Sequence, residues 1–196
     1  CAVNRRSQQA WHIQSATAFK QGSEEMTAKK QTDLYVSWDE YHKKIEELAI
    51  KVYQDGYDFS QIVCIAKGGL RVGDIFARLF DKPLAILSVE SYRGDGMKNE
   101  QGSMTFSRDL AQTTPNLGNR VILVDDLADS GITLEKSLKW LNHYYGFYLD
   151  EVRTAVLWMK GVSQYKPNYY VDYLEGSPWI HQPMEKYETM SVTDLI

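Results

Sequence analysis

This sequence of 196 residues has few cysteines, and its histidines are not clustered. The two cysteines, Cys1 and Cys64, are too few to cross-link a domain of this length. Cys64 lies in the apolar run 62–65, which is typical of a small core residue. The four histidines are scattered along the chain and show no zinc-like spacing. These absences exclude a disulfide framework and a zinc-built fold, so the apolar core has to hold the domain together.

Long apolar runs and an excess of positive charge are also missing. No stretch approaches the ~20 apolar residues that a membrane-spanning helix needs. The 22 Lys and Arg residues are outnumbered by 26 Asp and Glu, and the net charge of -4 gives no broad attraction to nucleic acid or to an anionic membrane. The first residues lack the basic-then-apolar order of a secretory signal. We therefore expect a cytoplasmic protein with no nucleic-acid or membrane partner.

The remaining composition, 43% hydrophobic and 24% charged, is that of an ordinary globular protein. Residues 1–30 are polar and aperiodic, which predicts a loosely ordered N-terminal extension ahead of a principal domain at 31–196. Ser37 and Glu40 have the spacing of a capping box. A helical apolar pattern follows them and stops at Asp55-Gly56, so this helix is the first predicted element.

Strand-like and helix-like segments then alternate. Short apolar runs predict strands at 62–65, 84–89, 121–124, 153–159 and 169–174, and helical spacing predicts helices over 72–80 and around 134–141. This order is typical of parallel strands joined by crossover helices. The predicted fold class is α/β, a mostly parallel sheet flanked by helices, with a small irregular segment at the C-terminal end.

The strongest functional signal follows the predicted strand 121–124. Asp125 and Asp126 come at its carboxyl end, and a hydroxyl- and glycine-containing loop, 129–133, leads into a helix. Ligands of open α/β sheets gather at that end, and the free amides of a helix start bind anions. The loop therefore predicts a phosphate cradle, with the two acids suited to ribose hydroxyls. A solvated turn with a simple serine or threonine cap is the alternative.

A second loop, Ala66-Lys67-Gly68-Gly69, comes directly after the strand 62–65. A lysine can hold a pyrophosphate by charge, while two glycines let backbone amides approach it. Taken alone, these residues also make an ordinary turn. Together with the predicted phosphate cradle, the loop favours a pyrophosphate site.

The C-terminal third carries residues that suit an aromatic base. Lys160 ends the strand 153–159, and Trp179-Ile180 follows farther on. An ammonium group can donate to a carbonyl oxygen, and an indole offers a flat face to a purine ring. A solvated lysine and a core tryptophan would be the ordinary interpretation of either residue alone.

Taken together, these motifs resemble the type I phosphoribosyltransferases, over the chain from about Asp33 to about Tyr187. The resemblance is closest to the bacterial xanthine-guanine and hypoxanthine enzymes. The run 121–133 is similar to the phosphoribosyl-pyrophosphate signature of the family, and 66–69 to its pyrophosphate loop, where a cis peptide often precedes the basic residue. The resemblance implies an enzyme of purine salvage, a homo-oligomer (dimer or tetramer), that transfers the 5-phosphoribosyl group to guanine, xanthine or hypoxanthine and releases pyrophosphate.

The resemblance also implies roles for single residues. Asp129 would be the catalytic proton acceptor near the imidazole nitrogen of the purine. The residues that would bind phosphoribosyl pyrophosphate come from both loops: Lys67, Gly68, Gly69, Asp125, Asp126, Ser130, Gly131, Ile132 and Thr133. Lys160, Trp179 and Ile180 would bind the base, within a base-recognition hood at about 161–196. Mg²⁺ would be held chiefly by the substrate pyrophosphate, with Asp125 and Asp126 as its protein partners.

The segment 91–120 is long and polar, and we expect it to have little to bury. The resemblance implies a flexible lid that starts at Ser91 and Tyr92 and shields the reacting ribose from water. Two departures from the xanthine-guanine enzymes leave the exact base open. Ile132 stands where those enzymes carry glycine, and Met184-Glu185 replaces a tryptophan-aspartate pair.

Two alternatives remain open. A regulatory protein could keep this fold as a sensor of phosphoribosyl pyrophosphate, but it should show a basic face or an added DNA-binding domain. A phosphoribosyltransferase for another base would not need the combination of Lys160 and Trp179.

Overall fold

The first helix, α1 (Trp38–Gln54), begins and ends where the sequence predicts. Ser37 Oγ accepts a hydrogen bond from the Glu40 amide at 3.3 Å, and Glu40 Oε2 accepts one from the Ser37 amide at 2.8 Å. This capping box satisfies amides that have no partner inside the helix. The face that α1 buries consists of the residues predicted from their spacing: Tyr41, Ile45, Leu48, Ala49 and Val52.

The computed structural model describes residues 33–91 and 104–196, which fall within one compact unit at 31–196. Its strands are β1 (Leu34–Tyr35), β2 (Gln61–Ala66), β3 (Leu84–Ser91), β4 (Met104–Phe106), β5 (Arg120–Val124), β6 (Leu127–Ala128), β7 (Glu151–Lys160), β8 (Tyr169–Leu174) and β9 (Ile180–His181). The other helices are α2 (Leu70–Phe80), α3 (Ile132–Tyr145) and α4 (Lys186–Thr189), followed by a 3₁₀ turn at Val192–Leu195. No helix in these ranges is long and apolar enough to cross a membrane.

Seven of the described strands form one sheet in the order β4-β3-β2-β5-β7-β6, with β8 also paired to β7. Every pairing in it is parallel except that of β3 with β4. The predicted α/β class with a mostly parallel sheet is therefore confirmed. A separate two-stranded parallel sheet joins β1 to β9, so the start of the domain pairs with its C-terminal part.

The core lies on both faces of the sheet, because successive side chains of a strand point to opposite sides. In β2, Ile62 and Cys64 pack with α1 and α2, whereas Val63 and Ile65 pack in the cluster that contains Leu134 of α3. Cys64 is fully buried, as its apolar surroundings predict, and burial raises the pKa of its thiol to about 12.

The segment after position 103 departs from the sequence-based expectation. Residues 104–106 form β4, and two leucines farther along, Leu110 and Leu117, are buried in the core. Ala111 also exchanges backbone hydrogen bonds with Ile86 at 2.9 and 3.1 Å. The expectation that 91–120 has little to bury is therefore wrong for its second half. Tyr92 and the side chain of Ser91 lie outside the described residues.

Candidate active site

The carboxyl ends of β2, β5 and β7 meet at one edge of the sheet, because these strands are parallel neighbours. A cavity of about 930 Å³ opens at this edge. Seven of the residues predicted for the site lie in its wall: Lys67, Gly68, Asp126, Asp129, Lys160, Trp179 and Ile180. Predicted pyrophosphate, ribose and base contacts that are far apart in the sequence thus share one cavity. The other predicted residues do not line it: Gly69, Asp125, Ser130, Gly131, Ile132 and Thr133.

The loop after β2 packs closely against the loop after β5. A cis peptide joins Ala66 to Lys67, as the family resemblance implies. A Cβ atom added at Gly68 would lie 2.4 Å from Asp126 Oδ1, and one at Gly69 would lie 2.6 Å from the Val124 carbonyl oxygen. Position 69 therefore needs glycine, because the atoms around it belong to the backbone, whereas a side chain at position 68 would displace the Asp126 carboxylate. The Lys67 side chain, in contrast, is exposed and free to reach a ligand in the cavity.

The two acids after β5 have different surroundings. Asp125 is buried, and its Oδ1 accepts a hydrogen bond from the Asp126 amide at 2.9 Å. Burial, and then the neighbouring Asp126 carboxylate, raise the pKa of Asp125 well above its ordinary value. Asp126 is only partly buried, lines the cavity and accepts a hydrogen bond from Gln182 Nε2 at 2.6 Å. Asp126 is thus the acid that faces the cavity, whereas Asp125 supports the turn.

We expect Asp125→Asn to stabilise the substrate-free protein at neutral pH by about 0.5–2 kcal/mol, the usual range for one stabilising substitution. The amide keeps an acceptor for the Asp126 N–H but has no charge to bury. Because the folded pKa of Asp125 lies above the reference value of 3.8, the unfolded state loses its proton first as pH rises. As the pH rises above 3.8, the Asp125 carboxyl therefore progressively lowers the free energy of unfolding.

Urea unfolding of both proteins at several pH values tests this prediction. The gain from Asp125→Asn should be small at acid pH and should reach its plateau above the folded pKa of Asp125. Asp58→Asn is the matched control, since the Asp58 side chain is 85% exposed and should give little change at any pH. A gain that does not depend on pH would contradict the burial argument.

The predicted phosphate cradle lies at the start of α3, beside the cavity wall. Gly131 has a φ of +78°, which favours glycine, and a Cβ there would lie 2.6 Å from Ser163 Oγ. The Ser130 hydroxyl accepts weakly from the Ile132 amide at 3.4 Å, and the Ser130 carbonyl accepts from the Gln164 amide at 2.9 Å. Residues 163–165 thus pack against this loop. The first amides of α3, at Ile132 and Thr133, lie at the N-terminal end of the helix, which is the end that favours an anion.

Lys160 and Asp129 form an ion pair in the wall of the cavity. The distance from Lys160 Nζ to Asp129 Oδ1 is 3.1 Å, and the lysine side chain is only 6% exposed, whereas that of Asp129 is 58% exposed. Lys160 Nζ also lies 3.5 Å from Ser177 Oγ. An ammonium group has three N–H donors, so the pair leaves Lys160 able to donate to a ligand carbonyl. The pair therefore presents a donor and an acceptor side by side.

Trp179 and Ile180 bring the C-terminal part of the chain to the same cavity. Trp179 is half exposed, with a relative accessibility of 51%, whereas Ile180 is buried, with only 6% of its surface exposed. Trp179 Nε1 donates to Glu185 Oε1 at 2.8 Å. An exposed indole in a cavity wall is available for stacking, which a core tryptophan would not be.

Sequence reasoning missed several residues of the wall. Gln182 was not singled out, although it holds Asp126, and Arg71 lies in the wall with its guanidinium 4.6 Å from the centre of the Trp38 ring. His42 also belongs to the wall. The only signal for Arg71 is its place in the first turn of α2 directly after the loop 66–69, and nothing in the local sequence marks Gln182.

The donors present suit a metal ion that is shared with a substrate. Among the described residues, no cluster of three or more His, Cys, Asp or Glu could hold a metal by itself. Asp126 offers a carboxylate at the cavity, and Mg²⁺ typically binds through one or two carboxylates together with substrate phosphates and water. The residues therefore fit a magnesium–pyrophosphate complex better than a metal ion alone.

Comparison with known proteins agrees with this geometry. Residues 37–189 match the phosphoribosyl transferase domain family. Xanthine-guanine phosphoribosyltransferases of Roseobacter denitrificans and Ruegeria sp. are 32% and 31% identical to this chain over 108 and 106 residues, which is 52% of the chain. The chain spans about 60% of the length of these curated relatives.

Solved structures show the same fold. A purine phosphoribosyltransferase from Pyrococcus horikoshii superposes with a TM-score of 0.61 at 26% identity, over 78% of this chain and 93% of that one. A Helicobacter pylori xanthine-guanine-hypoxanthine phosphoribosyltransferase gives a TM-score of 0.63 at 21% identity, over 81% and 99% of the two chains. The similarity of the fold thus defines a type I phosphoribosyltransferase fold. With its family match over 37–189, the chain belongs to the phosphoribosyl transferase domain family.

Proposed function

We propose that this protein transfers the 5-phosphoribosyl group from phosphoribosyl pyrophosphate to a 6-oxopurine, with release of pyrophosphate, in purine salvage. The observation that carries the proposal is the convergence of the lysine–glycine loop, the Asp126 carboxylate and the lysine–aspartate pair on one cavity. Each group matches one part of the two substrates: the pyrophosphate, the ribose and the base.

The loops after β2 and β5 would hold phosphoribosyl pyrophosphate. Lys67 would bind the pyrophosphate by charge, with the amide of Gly68 next to it. The predicted contact through Gly69 is not supported, because its buried amide donates to the Ile65 carbonyl at 2.8 Å. The 5-phosphate would lie at the start of α3, on the amides and hydroxyls of residues 130–133. Asp126 would bind the ribose hydroxyls, and the buried Asp125 would keep the Asp126 turn in place.

Mg²⁺, when bound with the substrate, would neutralise charge on the departing pyrophosphate. Asp126 is the protein carboxylate that faces this position, and Gln182 fixes the orientation of its side chain through the 2.6 Å hydrogen bond. Asp125, the other predicted metal partner, would support the Asp126 backbone through its hydrogen bond to the Asp126 amide. The protein would therefore contribute orientation and charge, and the substrate most of the metal ligands.

The base would lie between the Lys160–Asp129 pair and the Trp179 indole. Lys160 would donate to the 6-oxo group, Asp129 would accept from an imidazole N–H, and Trp179 would stack on the ring with Ile180 beside it. An adenine presents an amino group in place of the 6-oxo group, so two donors would face each other at Lys160. This arrangement favours 6-oxopurines.

In the transfer step, the bond between the anomeric carbon and the pyrophosphate oxygen breaks, and its electron pair leaves with pyrophosphate. The purine N9 atom then forms a bond to the anomeric carbon, and the proton lost from the imidazole passes to the Asp129 carboxylate. Positioning and electrostatic stabilisation supply most of the rate acceleration. A lid that begins at Ser91 and Tyr92 would exclude water from the exposed anomeric carbon.

The proposal includes a cytoplasmic, homo-oligomeric enzyme, as the family resemblance implies. Its test is pyrophosphate release from phosphoribosyl pyrophosphate with Mg²⁺, with guanine, xanthine, hypoxanthine, adenine and uracil offered separately. We expect turnover with the 6-oxopurines only. Their ranking identifies the preferred base.

The same assay separates the alternatives. Turnover with adenine or uracil alone would keep a phosphoribosyltransferase but contradict the base site around Lys160. Tight binding of phosphoribosyl pyrophosphate without turnover of any base would indicate the sensor protein instead.

A further inference from the structure

The Trp179 indole is held by one hydrogen bond and by a ring contact with His181, at a centroid distance of 6.4 Å. Half of this side chain is exposed in the cavity wall, so packing restrains its ring only on one side. The bond from Trp179 Nε1 to Glu185 Oε1, at 2.8 Å, is the polar contact that fixes the plane of the ring. A base that stacks on this ring depends on that plane.

Glu185 is itself held firmly. Its backbone amide donates to the Gln182 carbonyl at 3.0 Å, which closes a turn after β9. Its second oxygen, Oε2, lies 3.5 Å from His181 Nδ1. The His181 ring stacks on Tyr35 with centroids 4.2 Å apart, and its Nε2 lies 3.2 Å from Asp33 Oδ2. Glu185 thus has a fixed backbone and a histidine beside its free oxygen.

The backbone of Trp179 is braced from the same side. Its carbonyl accepts a hydrogen bond from the Leu34 amide at 2.8 Å, and the His181 carbonyl accepts one from Val36 at 3.0 Å. These bonds extend the pairing of β1 with β9. With the main chain fixed, the remaining freedom of Trp179 is rotation of its side chain, which the Glu185 contact restricts.

We infer that Glu185 is a positioning residue, which orients the Trp179 indole for stacking on the purine without contacting the reacting atoms. The inference rests on the proposed function, because the indole is a base platform only if the cavity binds a base. It assigns a role to the position where the sequence departs from the tryptophan-aspartate pair of similar enzymes.

The inference predicts a selective kinetic effect. Glu185→Leu removes the acceptor, and we expect the KM for the purine to rise about 5- to 10-fold, as loss of one hydrogen bond of ordinary strength allows. The KM for phosphoribosyl pyrophosphate should stay within about twofold, because the contact lies at the base end of the cavity. Glu185→Gln keeps an Oε1 acceptor and should restore most of the base affinity.

A double-mutant cycle identifies the partner through which Glu185 acts. Trp179→Phe keeps an aromatic face but has no N–H donor. In that background, Glu185→Leu should change the purine KM by less than about twofold, since the contact is already lost. A full effect of Glu185→Leu in the Trp179→Phe protein would overturn the inference, and would indicate that Glu185 contacts the base or the metal directly.

A readout that needs no turnover separates this inference from the proposed function. In protein labelled with ¹⁵N at the indole nitrogens, the Trp179 N–H signal is identified by its loss from Trp179→Phe. Glu185→Leu should move this signal upfield and speed its exchange with water, whereas Glu185→Gln should leave it nearly in place. An unmoved signal overturns the positioning role even in an inactive protein. A moved signal in a protein that transfers to no base would support the contact of Glu185 with the indole and would contradict the proposed function, and with it the role of the indole as a base platform.

Discussion

Asparagine in place of Asp129 should lower kcat for 6-oxopurines by about 10²- to 10⁴-fold, the usual contribution of a general base. Asparagine has nearly the same shape but cannot take up the proton that leaves the imidazole of the base. Asp129 is well placed for this role, because its side chain is 58% exposed in the cavity wall while Lys160 holds one of its oxygens at 3.1 Å. Steady-state rates of pyrophosphate release measure the loss.

The substitution also removes the partner of a buried lysine, and this second effect has to be separated. Asp172→Asn is a matched control, because Asp172 also pairs with a lysine at 3.1 Å, through Lys44, but lies outside the cavity wall. It should leave kcat within about twofold, as expected for a surface ion pair. Adding Asp129→Asn to a Lys160→Met protein should still lower kcat strongly. If it has no further effect there, Asp129 acts only by holding Lys160.

The parts of the fold that could be predicted are those that local patterns determine. The capping box at Ser37 and the stop at Asp55-Gly56 bound α1 because both depend on backbone groups within one helix turn. The runs 62–65 and 121–124 are fully apolar because β2 and β5 are covered on both faces. The strand, turn and helix start at 121–133 were predictable for the same reason, since they adjoin in sequence.

Contacts between distant loops could not be predicted in this way. The hydrogen bond from Gln182 to Asp126 joins residues 56 positions apart, and the pair of Lys160 with Asp129 depends on β6 lying beside β7. Such contacts follow from the order of strands in the sheet, which local periodicity does not contain. The Glu185 contact with Trp179 is closer in sequence, but it lies beside the pairing of β1 with β9, which joins the two ends of the domain.

The second half of the segment 91–120 shows a different reason for failure. Its polar composition resembles a loop, yet Leu110 and Leu117 are isolated apolar residues that reach the core from either side of an irregular stretch. Single buried residues have no periodicity, so a pattern-based analysis overlooks them. The lid therefore stays a prediction only for the part of the segment that precedes β4.

Alanine in place of Gly131 should destabilise the protein by about 2–5 kcal/mol, the sum of a left-handed backbone for a non-glycine residue and overpacking. The backbone φ at this position is +78°, and an added Cβ would lie 2.6 Å from Ser163 Oγ and 2.7 Å from the Tyr165 amide nitrogen. Relief of these contacts has to displace the phosphate cradle from the segment 163–165. We therefore also expect kcat/KM for phosphoribosyl pyrophosphate to fall about 100-fold, the effect of a misplacement of about 1 Å.

Gly56→Ala separates the backbone effect from the contacts. Gly56 has a similar φ of +72°, but nothing lies within 4 Å of a Cβ placed there. It should cost about 1–2 kcal/mol by its backbone alone and leave kcat/KM unchanged. Urea unfolding and steady-state kinetics of both variants measure the difference. Equal destabilisation by the two substitutions, with normal kinetics for Gly131→Ala, would mean that the loop 129–133 tolerates a shift and that its contact with 163–165 does not position the phosphate.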